Sequence, residues 1–180
     1  AISYIGRDPV NPRTEDYLAA TAMLNKVRPF IRQFVSDPTP KGLIDGDICI
    51  TIAYNGAALV AARLAKESGT DADIVYQVPS SGAPLWFDSM VIPKDAPHVA
   101  NAIKFINFIL RPEVVAKISD AVQYASANKT AQNLVAPELR KNPGIYPDEK
   151  TRKTLWVQAT KTLEQSRTEA REWTRFKTGN

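Results

Sequence analysis

Trp86 and Asp88, separated only by Phe87, are the residues whose types and spacing suggest binding chemistry most clearly. If they lie on an extended strand, both side chains point to the same face. A carboxylate beside an aromatic ring suits an organic ammonium ion, because the carboxylate accepts a charge-assisted hydrogen bond and the ring supplies cation–π attraction and a flat wall for methylene groups. The structural alternative is a core tryptophan beside a surface or helix-capping aspartate. The spacing alone favours this alternative.

Catalytic chemistry finds little support in the sequence. His98 is the only histidine, and no second histidine or cysteine stands at metal-ligand spacing from it. A Ser/His/Asp triad would have to use His98, but no Gly-x-Ser-x-Gly turn accompanies it. The sequence also lacks a glycine-rich loop that could cradle a phosphate. We therefore predict no catalytic residues, no metal site and no cofactor, which argues against an enzyme.

The distribution of charge argues against nucleic-acid binding. The formal net charge is +4, but the basic residues are scattered along the chain. Near the C-terminus, arginine and lysine alternate with Glu164, Glu169 and Glu172, which is typical of the solvated face of a helix. Because a net positive charge does not attract cations over long distances, any cation site must depend on local carboxylates.

The apolar stretches are too short to span a membrane. Even the longest are short, such as the stretch from Ile48 to Tyr54. Cys49 is the only cysteine, so no intramolecular disulfide can form and the cysteine content does not indicate a compartment. We predict that Cys49 is a small buried residue within a strand.

Alternating strands and helices must position these residues. Strands are predicted at 48–53, 74–78 and 87–92. Capping residues, prolines and the spacing of apolar residues predict the helices. These cover 14 to about 28, 41–44, 57–66, 98–110, 112–122 and 151–176. The alternation indicates an α/β layered fold, and the few strands for 180 residues suggest that part of the sheet lies elsewhere.

Two further features follow from the pattern of apolar residues and prolines. The first helix carries the apolar residues Leu18, Ala22, Met23 and Val27, which recur at helical spacing. The stretch from Pro137 to Pro147 is punctuated by prolines and a glycine, so we predict a long surface segment there.

Six short motifs in order resemble one known family, the spermidine/putrescine-binding proteins of bacterial ABC transporters, over the C-terminal half of those proteins. The motifs are Gly46-Asp47-Ile48-Cys49, Ala53-Tyr54-Asn55-Gly56, Trp86-Phe87-Asp88-Ser89, Phe108-Ile109-Leu110-Arg111-Pro112-Glu113-Val114, Tyr124-Ala125-Ser126-Ala127-Asn128-Lys129 and Asn142-Pro143-Gly144-Ile145-Tyr146-Pro147. Each motif is short, but six at plausible spacing are specific. The resemblance reverses the preference for a structural role of Trp86 and Asp88.

The resemblance implies an α/β, periplasmic binding protein-like fold of type II, with two lobes that close on a polyamine. By this analogy residues 1–86 belong to the second lobe, 87–134 return to the first lobe, and 135–180 form the rest of the second lobe with the C-terminal helix. The first half of the family pattern is absent, so we expect an incomplete cleft. A chain with an incomplete cleft is expected to bind polyamine weakly and to self-associate.

The resemblance also implies roles for individual residues. Asp88 matches the carboxylate that pairs with an ammonium group, and Trp86 matches the aromatic residue that packs on the methylene chain. Tyr124 matches a tyrosine that lines the cleft, and Tyr54 stands where the family usually has tryptophan. Ala57 departs from the putrescine-type receptors, which carry an aspartate there. The motifs therefore leave putrescine and spermidine open, and Gln158 is a further candidate for a polar contact.

The function implied by the resemblance is that of a periplasmic receptor that delivers putrescine or spermidine to an ABC transporter permease. The alternative is a polyamine sensor that signals to a membrane partner without transport. The sequence does not separate these two possibilities, since both require the same binding residues.

Overall fold

The computed structural model describes residues 1–35 and 41–179 of the chain. These residues fall into two compact units. The first contains residues 1–35, 78–87 and 149–179, and the second contains residues 41–77 and 88–148. A predicted boundary after residue 86 lies next to the unit boundary after Phe87, whereas the predicted boundary after residue 134 falls inside the second unit. The assignment of segments to lobes stays a prediction, because the units are defined within this chain alone.

The first unit combines helices with a short parallel sheet. Its elements are α1 (Thr14–Val27), a 3₁₀ turn at Arg28–Phe30, β1 (Pro84–Leu85), α7 (Glu149–Arg152), β2 (Trp156–Val157) and α8 (Leu163–Thr178). Strand β1 pairs with β2 in parallel, with Pro84 opposite Trp156 and Leu85 opposite Val157. Within the described ranges these two strands make up the sheet.

Helix α8 packs on α1, and hydrogen bonds from side chains fix both of its ends. At its start, the Thr162 hydroxyl accepts the Gln165 N–H at 3.1 Å, and the Gln165 side chain accepts the Thr162 N–H at 2.8 Å. At its end, the guanidinium group of Arg28 donates to the carbonyls of Phe176 at 2.7 Å and Lys177 at 2.6 Å. These bonds satisfy carbonyls that have no partner within the helix.

The apolar residues whose spacing predicted α1 do not form its buried face. Asp16, Tyr17, Ala20 and Thr21 are buried, whereas Leu18 is 44% exposed. Burial of Asp16 is tolerated because its carboxylate accepts the backbone N–H of Arg13 at 2.9 Å and lies 3.6 Å from the guanidinium group of Arg7. The spacing of apolar residues therefore predicted the helix correctly, although the helix buries other residues.

The second unit is built from helices around an aliphatic core. Its elements are α2 (Lys41–Ile44), α3 (Asn55–Glu67), α4 (Val99–Ile109), α5 (Pro112–Val122), a 3₁₀ turn at Ala131–Asn133 and α6 (Pro137–Arg140). The predictions of α2, α3, α4 and α5 are confirmed, with α2 and α5 matching at both ends. Helix α5 contacts both α3 and α4. The core consists of small and aliphatic side chains: Ala116, Ala131, Val135, Leu139 and Ile145.

The segment from Pro137 to Pro147 corrects the prediction of a surface stretch. It contributes Leu139 and Ile145 to the core. Pro137 begins α6 at a position where the missing N–H costs nothing, and the helix then turns Leu139 inward. The prolines indicated the breaks in the backbone correctly but carried no information about burial.

The three predicted strands are not formed. Residues 48–53, 74–78 and 87–92 carry no regular secondary structure, and Ile50 is 89% exposed. A strand requires a hydrogen-bonded neighbour, and no described segment pairs with these residues. Their apolar and β-branched composition reports strand propensity but not the presence of a partner. Cys49, predicted to be buried in the first of these strands, is exposed for the same reason.

The predicted helix from residue 151 to 176 is divided. Helix α7 ends at Arg152, Trp156 and Val157 form β2, and α8 starts at Leu163. The capping pair at Thr162 and Gln165 sets this later start. Glu172, predicted on the solvated face, is buried and receives a hydrogen bond from Arg175 at 3.3 Å. No helix among the described residues is both long and apolar enough to cross a membrane.

Candidate ligand-binding site

The candidate site begins at the N-terminus of α3. Tyr54 is the residue before the helix, has extended backbone geometry, and is 62% exposed. The side-chain amide of Asn55 donates to the carbonyl of Gly144 at 3.0 Å. This bond connects the start of α3 to the Asn142–Pro147 segment, so two of the sequence motifs are joined directly.

The ring of Tyr124 lies against the first turn of α3. A Cβ atom placed on Gly56 would come within 2.6 Å of the Cδ2 and Cζ atoms of Tyr124, so the ring occupies the space that a side chain would need. The backbone N–H of Ala57 donates to the Tyr124 hydroxyl. Tyr124 therefore takes up one of the helix-terminal N–H groups that has no partner within the helix.

The chain around Tyr124 is held in place by local hydrogen bonds. Gln123, at the end of α5, adopts a left-handed conformation with φ of 61°, and its side chain donates to the carbonyl of Asp120 at 2.6 Å. Beyond Tyr124, the N–H of Ser126 donates to the Tyr146 hydroxyl at 3.1 Å, and the side chain of Asn128 donates to the carbonyl of Leu110 at 2.9 Å. Residues 124–129 form no helix or strand, as predicted, but these hydrogen bonds hold the segment in place.

Electrostatic effects on Tyr124 identify its neighbours. Burial raises the pKa of Tyr124, the N–H of Ala57 opposes this, and the nearby Tyr54 and Asp88 raise the pKa further. The structure thus brings Tyr54, Asp88 and Tyr124 together within the second unit. We call these three residues the tyrosine–aspartate cluster. It presents two phenol rings and one carboxylate.

Tyr76 adjoins this cluster and was missed by the sequence reasoning. Burial raises the pKa of Tyr76, and the proximity of Tyr124 raises it further. Its ring lies against Gly144, since a Cβ atom there would stand 2.8 Å from the Tyr76 Cδ1 atom. Its local sequence carries no signal for this role, since Tyr76 lies in the stretch 74–78, which was predicted to be a strand.

Trp86 and Asp88 do not lie on a strand, so the predicted shared face is not formed. Strand β1 ends at Leu85, and residues 86–88 carry no regular secondary structure. Trp86 is 63% exposed and belongs to the first unit, whereas Asp88 belongs to the second. Phe87 is the last residue of the first unit, so the motif Trp86-Phe87-Asp88 runs across the boundary between the two units.

The remaining candidates are placed as follows. Gln158 lies in the first unit, where it lines a cavity of about 340 Å³ together with Trp156 and Trp173. Ala57 is partly buried and offers only its backbone N–H to the cluster. Among the described residues no three acidic, histidine or cysteine side chains group in a way that could hold a metal ion.

Comparison with curated proteins finds relatives that bind polyamines. The chain is 40% identical to the putrescine-binding periplasmic protein of Escherichia coli strain K12 over 179 residues, which is 99% of this chain and 48% of the relative. It is 37% identical to the putrescine/agmatine-binding protein of Pseudomonas aeruginosa PAO1 over 180 residues, covering 100% of this chain and 49% of the relative. The chain therefore spans about half the length of the curated relatives it matches.

Comparison with solved structures finds proteins whose fold matches that of this chain. The chain matches the spermidine/putrescine ABC transporter substrate-binding protein of Streptococcus pneumoniae with a TM-score of 0.84 and 26% identity, covering 98% of this chain and 53% of that one. A spermidine/putrescine ABC transporter protein of Listeria monocytogenes, described as putative, matches with a TM-score of 0.83 and 28% identity, covering 99% of this chain and 53% of that one. The predicted α/β fold of periplasmic binding-protein type is thereby confirmed.

The family assignment rests on both kinds of match. The sequence profile of the bacterial extracellular solute-binding proteins matches residues 7–147, which is most of the chain. The relative from E. coli aligns over nearly the whole chain. This chain belongs to the bacterial extracellular solute-binding protein family.

Proposed function

We propose that this protein is a periplasmic polyamine receptor that binds putrescine or spermidine and delivers it to an ABC transporter permease. The observation that carries the proposal is the tyrosine–aspartate cluster of Tyr54, Asp88 and Tyr124. The names of the relatives, which include putrescine-binding and spermidine/putrescine-binding periplasmic proteins, support the ligand class. The proposed activity is binding and release, without catalysis.

The chemistry of the cluster suits an alkyl diamine. The carboxylate of Asp88 can accept charge-assisted hydrogen bonds from an ammonium group. The rings of Tyr54 and Tyr124 can pack on methylene groups and attract the positive charge through their π faces. We propose that Trp86 also contacts the methylene chain, as the family resemblance implies. Each part of a polyamine, its charged ends and its apolar middle, thus has a matching group.

Ala57 restricts what the cluster can do by itself. It provides no carboxylate beside the cluster, so Asp88 is the one acidic side chain that we assign to the site. A diamine or triamine carries further ammonium groups, which would need carboxylates outside the cluster. The proposal therefore leaves putrescine and spermidine as alternatives, to be separated by measured affinities.

The 180-residue chain is expected to bind polyamine weakly on its own. It spans about half the length of its relatives, and a two-lobed receptor encloses its ligand from both sides. A ligand on one side of an open cleft stays hydrated, so attraction between ammonium and carboxylate is screened. Binding at micromolar or lower concentrations would show instead that this chain holds a complete site.

Self-association is the second expectation for this chain. The second unit exposes several large apolar side chains: Ile50, Val75, Val91, Phe105 and Phe108. Exposed apolar surface of this kind favours association, because contact removes it from water. Sedimentation velocity over a range of concentrations tests this, and a chain that stays monomeric at high concentration would contradict it.

The experiment that tests the proposed ligand is a titration followed by NMR. Putrescine and spermidine are added to the 180-residue chain up to millimolar concentration, with 1,4-butanediol as a control ligand that has the methylene chain of putrescine without its charges. We expect saturable shifts with the amines and none with the diol. Equal responses to the amines and the diol, or no response to any of them, would refute a polyamine site. Loss of putrescine uptake in a strain that lacks the protein would then connect binding to transport.

A further inference from the structure

Gly56 stands in the first turn of α3, and its backbone does not explain why it is glycine. It is absent from the glycines with positive φ among the described residues, so any residue could adopt its conformation. Glycine within a helix is also less favourable than alanine, because it loses more backbone entropy on folding. The reason for glycine at this position must therefore be the space around it.

The ring of Tyr124 fills that space. A Cβ atom on Gly56 would lie within 2.6 Å of the Cδ2 and Cζ ring atoms, well below the 3.0 Å under which a neighbouring group must shift. Gly56 itself is buried under this ring. The contact is to the middle of a rigid side chain, so a methyl group at position 56 would move the whole ring away from the helix.

The position of this ring matters for a positively charged ligand. The N-terminus of a helix carries a partial positive charge, which disfavours a nearby ammonium ion. In the observed arrangement the N–H of Ala57 donates to the Tyr124 hydroxyl, while the same side chain stands near Tyr54 and Asp88. Tyr124 thus covers part of the helix terminus and completes the tyrosine–aspartate cluster.

We propose that Gly56 is a positioning residue for ligand binding: its lack of a side chain seats the Tyr124 ring on the first turn of α3, next to Tyr54 and Asp88. The proposal rests on the proposed polyamine-binding function. Gly56→Ala is expected to displace the ring, to expose the N–H of Ala57 to the ligand, and to weaken putrescine binding. The loss should be about 2- to 30-fold, the range expected when one aromatic contact to a cation is removed.

A double-mutant cycle tests this with four proteins: the wild-type 180-residue chain, Gly56→Ala, Tyr124→Ala and the double variant. Two readouts need no ligand: the NMR signals of the Tyr124 ring and the free energy of unfolding. Gly56→Ala should shift the ring signals and destabilise the chain. The double variant should be more stable than Gly56→Ala, since the methyl group then has room and alanine favours the helix. Putrescine affinity should change less than about twofold when Gly56→Ala is added to Tyr124→Ala.

Each outcome of the cycle supports or contradicts the proposed role of Gly56. If Gly56→Ala keeps the wild-type ring signals and affinity, or if its effect on stability persists undiminished in the Tyr124→Ala background, the proposal is wrong. If Gly56→Ala does not fold, recovery of folding in the double variant supports it and failure to recover contradicts it. If the wild-type chain binds no polyamine, the proposed function fails and the role in binding fails with it. The ligand-free cycle still reports separately whether Gly56 positions Tyr124.

Discussion

Asp88→Asn tests how much the negative charge of the site contributes to ligand binding. Asparagine keeps the size of the side chain and much of its capacity for hydrogen bonds, but it removes the negative charge. Asp88 lies close enough to Tyr124 to raise the pKa of that residue, so it belongs to the tyrosine–aspartate cluster. We expect the substitution to weaken putrescine binding, because the ammonium group loses its charged partner.

The size of the effect follows from the exposure of Asp88, which lies at the surface of the second unit. Two opposite charges 4 Å apart attract by about 1 kcal/mol in bulk water and by about 4 kcal/mol at the effective dielectric constant of a partly enclosed site. The first value corresponds to about fivefold in affinity and the second to about a thousandfold. For the 180-residue chain, with its exposed carboxylate, we expect a loss of about fivefold.

Isothermal titration or NMR titration at low and high salt measures this loss. Salt screens an exposed pair, so the wild-type affinity for putrescine should fall with salt more steeply than that of Asp88→Asn. Asp95→Asn is a matched control, because Asp95 is also exposed and lies in the same segment of the chain. Equal affinities for the wild type and Asp88→Asn would remove Asp88 from the site. Equal losses in the two variants would mean that only net charge matters.

Trp86→Ala is expected to weaken putrescine binding by about 2- to 30-fold, because a cation–π contact contributes about 0.5–2 kcal/mol; calorimetry that finds no change would exclude Trp86. Asn55→Ala should lower the free energy of unfolding by about 1 kcal/mol, since the carbonyl of Gly144 loses a 3.0 Å hydrogen bond. Urea titration checks this, with exposed Asn25→Ala on α1 as the control, and equal effects of the two would contradict it. Stability should also fall at alkaline pH, because burial raises the pKa of three tyrosines in the folded chain: Tyr17, Tyr76 and Tyr124. The unfolded chain then releases phenolic protons first, so the stabilisation present below about pH 10 is lost as the pH rises through the folded-state pKa values. Urea unfolding midpoints that stay constant between about pH 8 and 11 would argue against this.

The helices of the second unit could be predicted because their signals are local. Pro112 opens α5 at its first position, and Gly69 stands just beyond the end of α3, where the chain turns with φ of +71°. Start and stop signals of this kind act within one turn of the residues that carry them. They need no knowledge of what the helix packs against.

The predicted strands failed for the opposite reason. Ile50 and Val75 lie in stretches with the composition of strands, but pairing depends on a neighbour that local sequence does not describe. The pair that did form, Pro84–Leu85 with Trp156–Val157, joins residues far apart in the chain. Composition could not have predicted that register.

The residues of the candidate site were named through motifs and not through geometry, and their role in binding stays a prediction. The resemblance named Tyr54, Asp88 and Tyr124, and the structure brings these three together. The role of Gly56 was not predicted, because a contact between a glycine and a distant ring leaves no periodic pattern in the sequence. Tyr76 was missed for the same reason, since it reads as one more strand residue.

The rings that a bound polyamine contacts would show directly whether it lies on the tyrosine–aspartate cluster. Intermolecular nuclear Overhauser effects between the methylene protons of putrescine and assigned aromatic protons of the chain report contacts within about 5 Å, the range of packed side chains. We predict cross-peaks to the rings of Tyr54 and Tyr124, and weaker cross-peaks in Asp88→Asn at the same ligand concentration. Cross-peaks confined to rings outside the cluster, such as those of Trp173 and Phe34, would mean that polyamine does not bind at the tyrosine–aspartate cluster.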